Sequence, residues 1–155
     1  MNPFMDGPSA PDLNPIWFFV WAIIVWCSVC AILSLIGGWH SLSRLYPAKN
    51  WIPSEVFRFA SMKLGLGQFP LSYGSCVTIQ VSLEGLVLSV FPLLRILHPS
   101  LSIPWAVVTE CKEEKLWFFT HTALYLKEPK TRLLFRGRAT SAVRNHWERY
   151  RLSSR

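Results

Sequence analysis

CVTIQVSLEGLVLSVF, residues 76–91, decides the fold. Val77, Ile79 and Val81 alternate with Thr78, Gln80 and Ser82, so one face of this run is apolar and the other polar. That is the period of a half-buried strand. Leu83-Glu84-Gly85 supplies a tight turn, with Gly85 read as the position of positive φ, and Leu86 to Phe91 returns as the second strand of a hairpin. Working outward, Val56 to Met62 alternates as a strand before the hairpin, and Pro92 to Ser100 reads as a loop after it. Ile103 to Glu110 is expected as a strand, Glu113-Glu114-Lys115 as a charged turn and Leu116 to Leu126 as the longest strand. Glu128-Pro129-Lys130 then turns the chain into Thr131 to Arg136, which Gly137 closes. From there the period changes. Ala139, Val143, Trp147 and Tyr150 recur at helical spacing, with Arg144, Arg149 and Arg151 on other faces, which predicts a C-terminal amphipathic helix. Six antiparallel strands and one helix over residues 55–155 suggest a strongly bent sheet or partly open barrel, with the helix over one edge or mouth.

The rest of the chain is of another kind. With 51% hydrophobic and only 16% charged positions in 155 residues, the protein is too apolar for one ordinary soluble domain. The excess is concentrated in IWFFVWAIIVWCSVCAILSLIG, residues 16–37, where no residue is charged and none is Pro. As a helix this run spans roughly 33 Å at 1.5 Å per residue, enough for a hydrocarbon core of about 30 Å. A cleaved signal peptide would carry a basic start, a shorter apolar core and a small-residue cleavage site, and none of these is present. Residues 1–15 hold Asp6, Asp12 and four Pro without Lys or Arg, and are expected to form a short disordered acidic tail. Arg44 and Lys49 follow the span, so the positive-inside rule puts the N-terminus outside and the remainder in the cytoplasm, in a plasma (inner) membrane. Trp17, Trp39 and Tyr46 are the candidate anchors at the membrane interfaces. Cys30, Ser34 and Gly38, spaced by four, offer a small-residue face through which two such helices could form a homodimer. Residues 38–54 read as a juxtamembrane linker in which Trp39, Leu42, Leu45 and Tyr46 mark a short interfacial helix before Pro47. The fold class is therefore α+β: one transmembrane helix, a small antiparallel barrel-like domain and a closing helix.

Catalytic signatures are sparse. No Asp occurs after residue 37, which removes Asp-based phosphoryl transfer, EF-hand loops and a Ser-His-Asp triad. Gly65-Leu66-Gly67 is a fragment of a nucleotide-binding fingerprint and reads as a loop. His40, His98, His121 and His146 stand singly, without metal-ligand spacing, and no cofactor is called for. Cys27 and Cys30 form a CxxC at bilayer depth, where a thiolate is disfavoured and packing is the simpler role. Cys111 beside Glu110 and Lys112 is the one thiol positioned to act as a nucleophile, against the simpler role of filling a strand position. The positive constellation is basic: Lys127, Lys130, Arg132, Arg136 and Arg138 crowd the last hairpin and its exit, and Arg144 continues along the helix. A solvated, solubilising face is the simpler account of such residues; held near an anionic leaflet, each would gain about 1 kcal/mol. RNA-reading strands would carry aromatic platforms that are missing here, so nucleic acid is not the expected partner.

VSLEGLVLSV at 81–90, HPSLSIPWAVV at 98–108, two further strands and a helix opening at RATSAV (138–143) resemble the pleckstrin-homology-like group that includes GRAM-type domains. The whole chain also resembles uncharacterised bacterial single-pass proteins in which a GGW-x-x-L-x-x-x-Y joint, here Gly37 to Tyr46, links one span to such a domain. The resemblance carries no catalytic residues. It implies docking of lipid head groups, peptides or protein partners, and so a non-enzymatic interaction, scaffolding or regulatory module at the membrane. A specific anionic head-group binding domain is the alternative, and a small Cys- or His-dependent enzyme comes third. The expected partners are the bilayer, anionic lipid head groups and another membrane protein.

Overall fold

The structure is a computed structural model and describes residues 15–65, 71–95, 98–116 and 118–154. The acidic tail through residue 14, and Leu66 and Gly67 of the expected Gly-rich loop, lie outside the described residues. An apolar helix α1 (Pro15–Ile36) and a short helix α2 (Trp39–Leu45) lead into β1 (Glu55–Gly65), β2 (Leu71–Val81), β3 (Gly85–Val90) and β4 (Leu101–Pro104). Then come β5 (Val108–Leu116), β6 (Phe119–Leu126), β7 (Arg132–Arg136) and the C-terminal helix α3 (Ala139–Ser153).

Among the described residues the strands form one seven-stranded antiparallel sheet in the order β4-β3-β2-β1-β7-β6-β5. Its two edges, β4 and β5, are consecutive in the chain and joined only through the single 3-10 turn Trp105–Val107. So short a connection brings opposite edges together at one corner, and the sheet must curl into a half-barrel. The bend is concentrated in β1, whose pairing with β2 shifts register on both sides of Ala60. Phe59 and Ser75 take φ of 55° and 49° there, as bulges do where a sheet turns a corner.

The core fills the inside of the curl. Met62, Leu64, Ile79, Leu88, Leu124, Leu133 and Phe135 face inward from the strands, and α3 closes the mouth with Ala139, Val143 and Trp147. The segment after α1 belongs to this core as well. Trp39 and Leu42 of α2 are fully buried in the same cluster, and Pro47 bridges to Leu101 of β4. Residues 38–47 are thus part of the domain's packing, where the sequence reads as a linker. Gly38, at φ 74°, makes the sharp turn from α1 into α2, and a Cβ on Gly37 would stand 2.8 Å from both Leu71 and the Tyr73 hydroxyl.

Several local expectations change. Seven strands form where the pattern gives six, because Pro104 and the turn Trp105–Val107 split the expected strand 103–110 between two edges. Glu113, Glu114 and Lys115 are not a turn; they pair with Thr122, His121 and Thr120. As part of edge strand β5 they keep their charges in water. The reversal falls instead beside Phe118, so the expected strand 116–126 divides between β5 and β6. β2 starts at Leu71, five residues before the clean alternation.

Candidate functional site

The six cations singled out in the sequence do not make one patch. Arg132 and Arg144 serve as internal clips. Arg132 Nη1 lies 3.6 Å from Glu114 Oε2, whose other oxygen accepts the Tyr125 hydroxyl, so β5, β6 and β7 are laced on their outer side. Arg144 of α3 pairs with Glu113 of β5 and reaches to 3.9 Å from Glu148. These pairs are partly to well exposed and fix geometry more than they stabilise, at no more than about 1 kcal/mol each. The Tyr125 phenol is raised, first by its bond to Glu114, so it remains a hydroxyl donor at neutral pH.

The other four separate to opposite ends of β7, roughly 13 Å apart at 3.3 Å per residue. Lys127 and Lys130 are exposed on the β6–β7 turn. That turn is tied to the joint between α2 and the sheet, because the Tyr46 hydroxyl donates to the Glu128 carbonyl. Arg136 and Arg138 are exposed at the far corner, where β7 passes into α3. The Arg136 guanidinium lies 3.5 Å over the Phe119 ring, a cation–π seat that holds it in place.

Arg136 stands between two clefts. One, of about 430 Å³, is lined by Ser61, Lys63, Ser72, Phe118, His121 and Arg136. The second, of about 450 Å³, has Arg58, Phe59, Ala60, Arg136 and Arg138 on its walls. In the first, His121 is buried and its Nδ1 donates to the Phe119 carbonyl at 3.1 Å. Two cations, two hydroxyls and an aromatic wall suit an anionic or hydrogen-bonding group of a partner. Sequence reasoning missed Arg58, Lys63 and Phe59, which sit on a strand whose outward positions give no signal until β7 is seen beside it. Phe118 was missed because it reads as mid-strand, whereas it tips a turn and is 93% exposed.

The three interface anchors part company. Trp17 is exposed on α1. Trp39 is not exposed at all: it is buried and its Nε1 donates to the Pro99 carbonyl at 2.8 Å. It is a core residue, because α2 packs inward instead of lying on a bilayer. Tyr46 is half-buried in its bond to the β6–β7 turn. The small-residue face of α1 is also occupied. Cys30 and Ser34 are its buried positions, on the side where Trp26 meets Leu93 and Gly37 meets Tyr73. The face expected to receive a second helix is taken by the chain's own domain.

Cys111 is half-buried, and burial first, then the Glu148 carboxylate, push its thiol up to about 11. A nucleophilic cysteine needs the opposite shift. Among the described residues no three His, Cys, Asp or Glu gather in a metal-binding arrangement. Compared with protein-family models and with curated proteins, the chain matches none.

Proposed function

We propose that this protein is a single-span membrane protein whose basic, PH-like domain is a non-enzymatic interaction module on the cytoplasmic side of the plasma (inner) membrane. The observation that carries this reading is the joint. A 22-residue helix holding an 18-residue stretch of mean hydropathy 2.6, its side chains largely exposed outside the Cys30 and Ser34 face, runs into a domain whose core includes the first turn after it. An exposed rod of that length and apolarity has one favourable solvent, the bilayer. The strand order with α3 across the mouth supports the PH-like reading. The absence of Lys and Arg in residues 1–15, with Arg44 and Lys49 just past the span, supports the orientation. The cleft at Lys63, His121 and Arg136 is the surface we assign to the partner, a membrane protein presenting an acidic or hydrogen-bonding segment.

The test is site-specific photocrosslinking in native membranes, with the photoreactive residue at Lys63 or Phe118. A discrete, recurrent adduct is expected from these positions and not from Leu83, on the distant β2–β3 turn. Adducts no different from those at Leu83 would overturn the reading.

A second reading, binding of anionic lipid head groups, is favoured by the Tyr46 to Glu128 bond, which keeps Lys127 and Lys130 close to the end of the span. On that reading the β6–β7 turn of the full chain exchanges amide hydrogens more slowly in phosphatidylglycerol vesicles than in phosphatidylcholine. The double substitution Lys127→Ser, Lys130→Ser abolishes the difference. Equal exchange in the two lipids would end it.

A further inference from the structure

The bulge in β1 and the loop after β3 place three apolar side chains on one rim. Phe59 holds φ 55°, a strained conformation for a bulky residue, and the bulge turns it out of the half-barrel to 65% exposure. Its ring centroid lies 6.1 Å from that of Phe91, which is exposed in turn, and Leu93 two residues on is 66% exposed. Two exposed aromatic rings in contact on a strained backbone, with an exposed Leu two residues on, are out of place on a surface facing water.

What covers them follows from their neighbour. Two described residues of the segment after β3 touch the helices: Trp39 Nε1 donates to the Pro99 carbonyl, and Trp26 Nε1 of α1 donates to the Leu93 carbonyl at 3.4 Å. Trp26 precedes Ile36 by ten residues, about 15 Å along the axis and therefore near the middle of a hydrocarbon core of about 30 Å. Nor does the helix leave the lipid earlier. Leu35 and Ile36 are still 64% and 73% exposed, and the stretch before Trp26 alone, roughly 16 Å long, is too short to cross.

We propose that the rim formed by Phe59, Phe91 and Leu93 inserts into the bilayer beside α1, as a second and monotopic membrane contact. The proposal rests on the reading of α1 as a span. The described turn 91–95 meets part of its backbone hydrogen bonding internally, as an apolar solvent demands. Pro92 has no N–H, Leu94 N donates to the Phe91 carbonyl at 2.8 Å, and Arg95 N donates to that of Pro92 at 3.2 Å. The Leu93 carbonyl takes the Trp26 indole. Arg58 and Arg138 line the cleft beside Phe59 and Arg95 follows Leu93; all three are exposed, and their long stems let the guanidinium groups extend toward the head groups. Held at two points, the domain has a fixed tilt relative to the membrane.

Spin labels test this on the full-length chain, with the four native cysteines replaced by Ser or Ala, in vesicles of phosphatidylcholine and phosphatidylglycerol. Labels go singly at Leu93→Cys, at Ile23→Cys within the span and at Leu83→Cys on the far turn. The proposal expects oxygen to relax the labels at 93 and 23 and a water-soluble nickel chelate to relax only the one at 83. If 93 responds to nickel while 23 responds to oxygen, the rim proposal is overturned and the span stands. Nickel reaching both 23 and 93 overturns the span reading and the rim with it. Should Leu93→Cys fail to fold, Phe91→Cys takes its place with the same two criteria.

Discussion

Gly85 is closely enclosed by β4 and Trp51. The sequence marks it as a turn residue of positive φ, yet it is not among the left-handed glycines, Gly38 and Gly137. Its constraint is space: a Cβ there would stand 2.1 Å from the Ile103 carbonyl and 2.8 Å from Pro104 and Trp51, where β4 pairs with the start of β3 and Gly85 lies opposite Pro104. Gly85→Ala is therefore expected to cost about 3 kcal/mol as overpacking against rigid backbone. Gly74→Ala, with nothing within 4 Å, is expected to stay within about 0.5 kcal/mol. Thermal unfolding of both variants in detergent checks the contrast, and equal melting temperatures would refute the steric account. Cys111 makes a second residue-scale prediction. With its thiol raised to about 11, its thiolate population at pH 7.5 is about 300-fold below that of a free cysteine of pKa about 8.5. The greater nucleophilicity of a more basic thiolate recovers part of that, so alkylation is expected to be at least about tenfold slower than for a free thiol and to accelerate with pH beyond 9. Peptide mapping after timed alkylation measures it, and rapid labelling at neutral pH would contradict the assigned environment.

Among the elements, α2 has the largest effect for its length. Its seven residues supply Trp39 and Leu42, both at 0% exposure, to a core otherwise made by strands and α3. Trp39→Ala is expected to cost about 3–5 kcal/mol and to melt the whole half-barrel, which loss of the near-ultraviolet circular dichroism of the domain would report. A variant that frayed only residues 39–45 would contradict the packing. Why α2 reads as an interfacial helix is plain in the sequence: Trp39, Leu42 and Tyr46 give one apolar face, and nothing local says whether lipid or protein covers it. The β2–β3 hairpin was legible because one face is apolar and the other polar, position by position. β5 was not, since Glu113 to Lys115 mimic a turn while lying on an edge. The first half of β2 was hidden too, because Ser72, Gly74 and Ser75 carry the composition of a loop and acquire strand geometry only from pairing with the bent half of β1. The candidate site was half legible for the same reason. Arg136 and Arg138 were visible in the basic run, whereas Lys63 and Arg58 join them through the β1–β7 pairing, a contact between residues some 70 apart in the chain.

For the molecule as a whole, the decisive relation is between the apolar rod and the domain beside it. The C-terminal half of α1 is not a free tether: Trp26, Cys30, Ser34 and Gly37 form the side on which the domain leans. With α1 read as a span, a protein built this way would present its clefts at a set height and tilt, which suits docking within the plane of the membrane better than capture from solution. The account stands or falls with the placement of the two ends of α1. The direct measurement is a pair of C-terminal fusions after α3, one to alkaline phosphatase and one to green fluorescent protein, expressed in a Gram-negative host and assayed in carbonate-washed membranes. Fluorescence retained in the washed membranes, with an inactive phosphatase, is the predicted result. An active phosphatase, or fluorescence released by the wash, would contradict it.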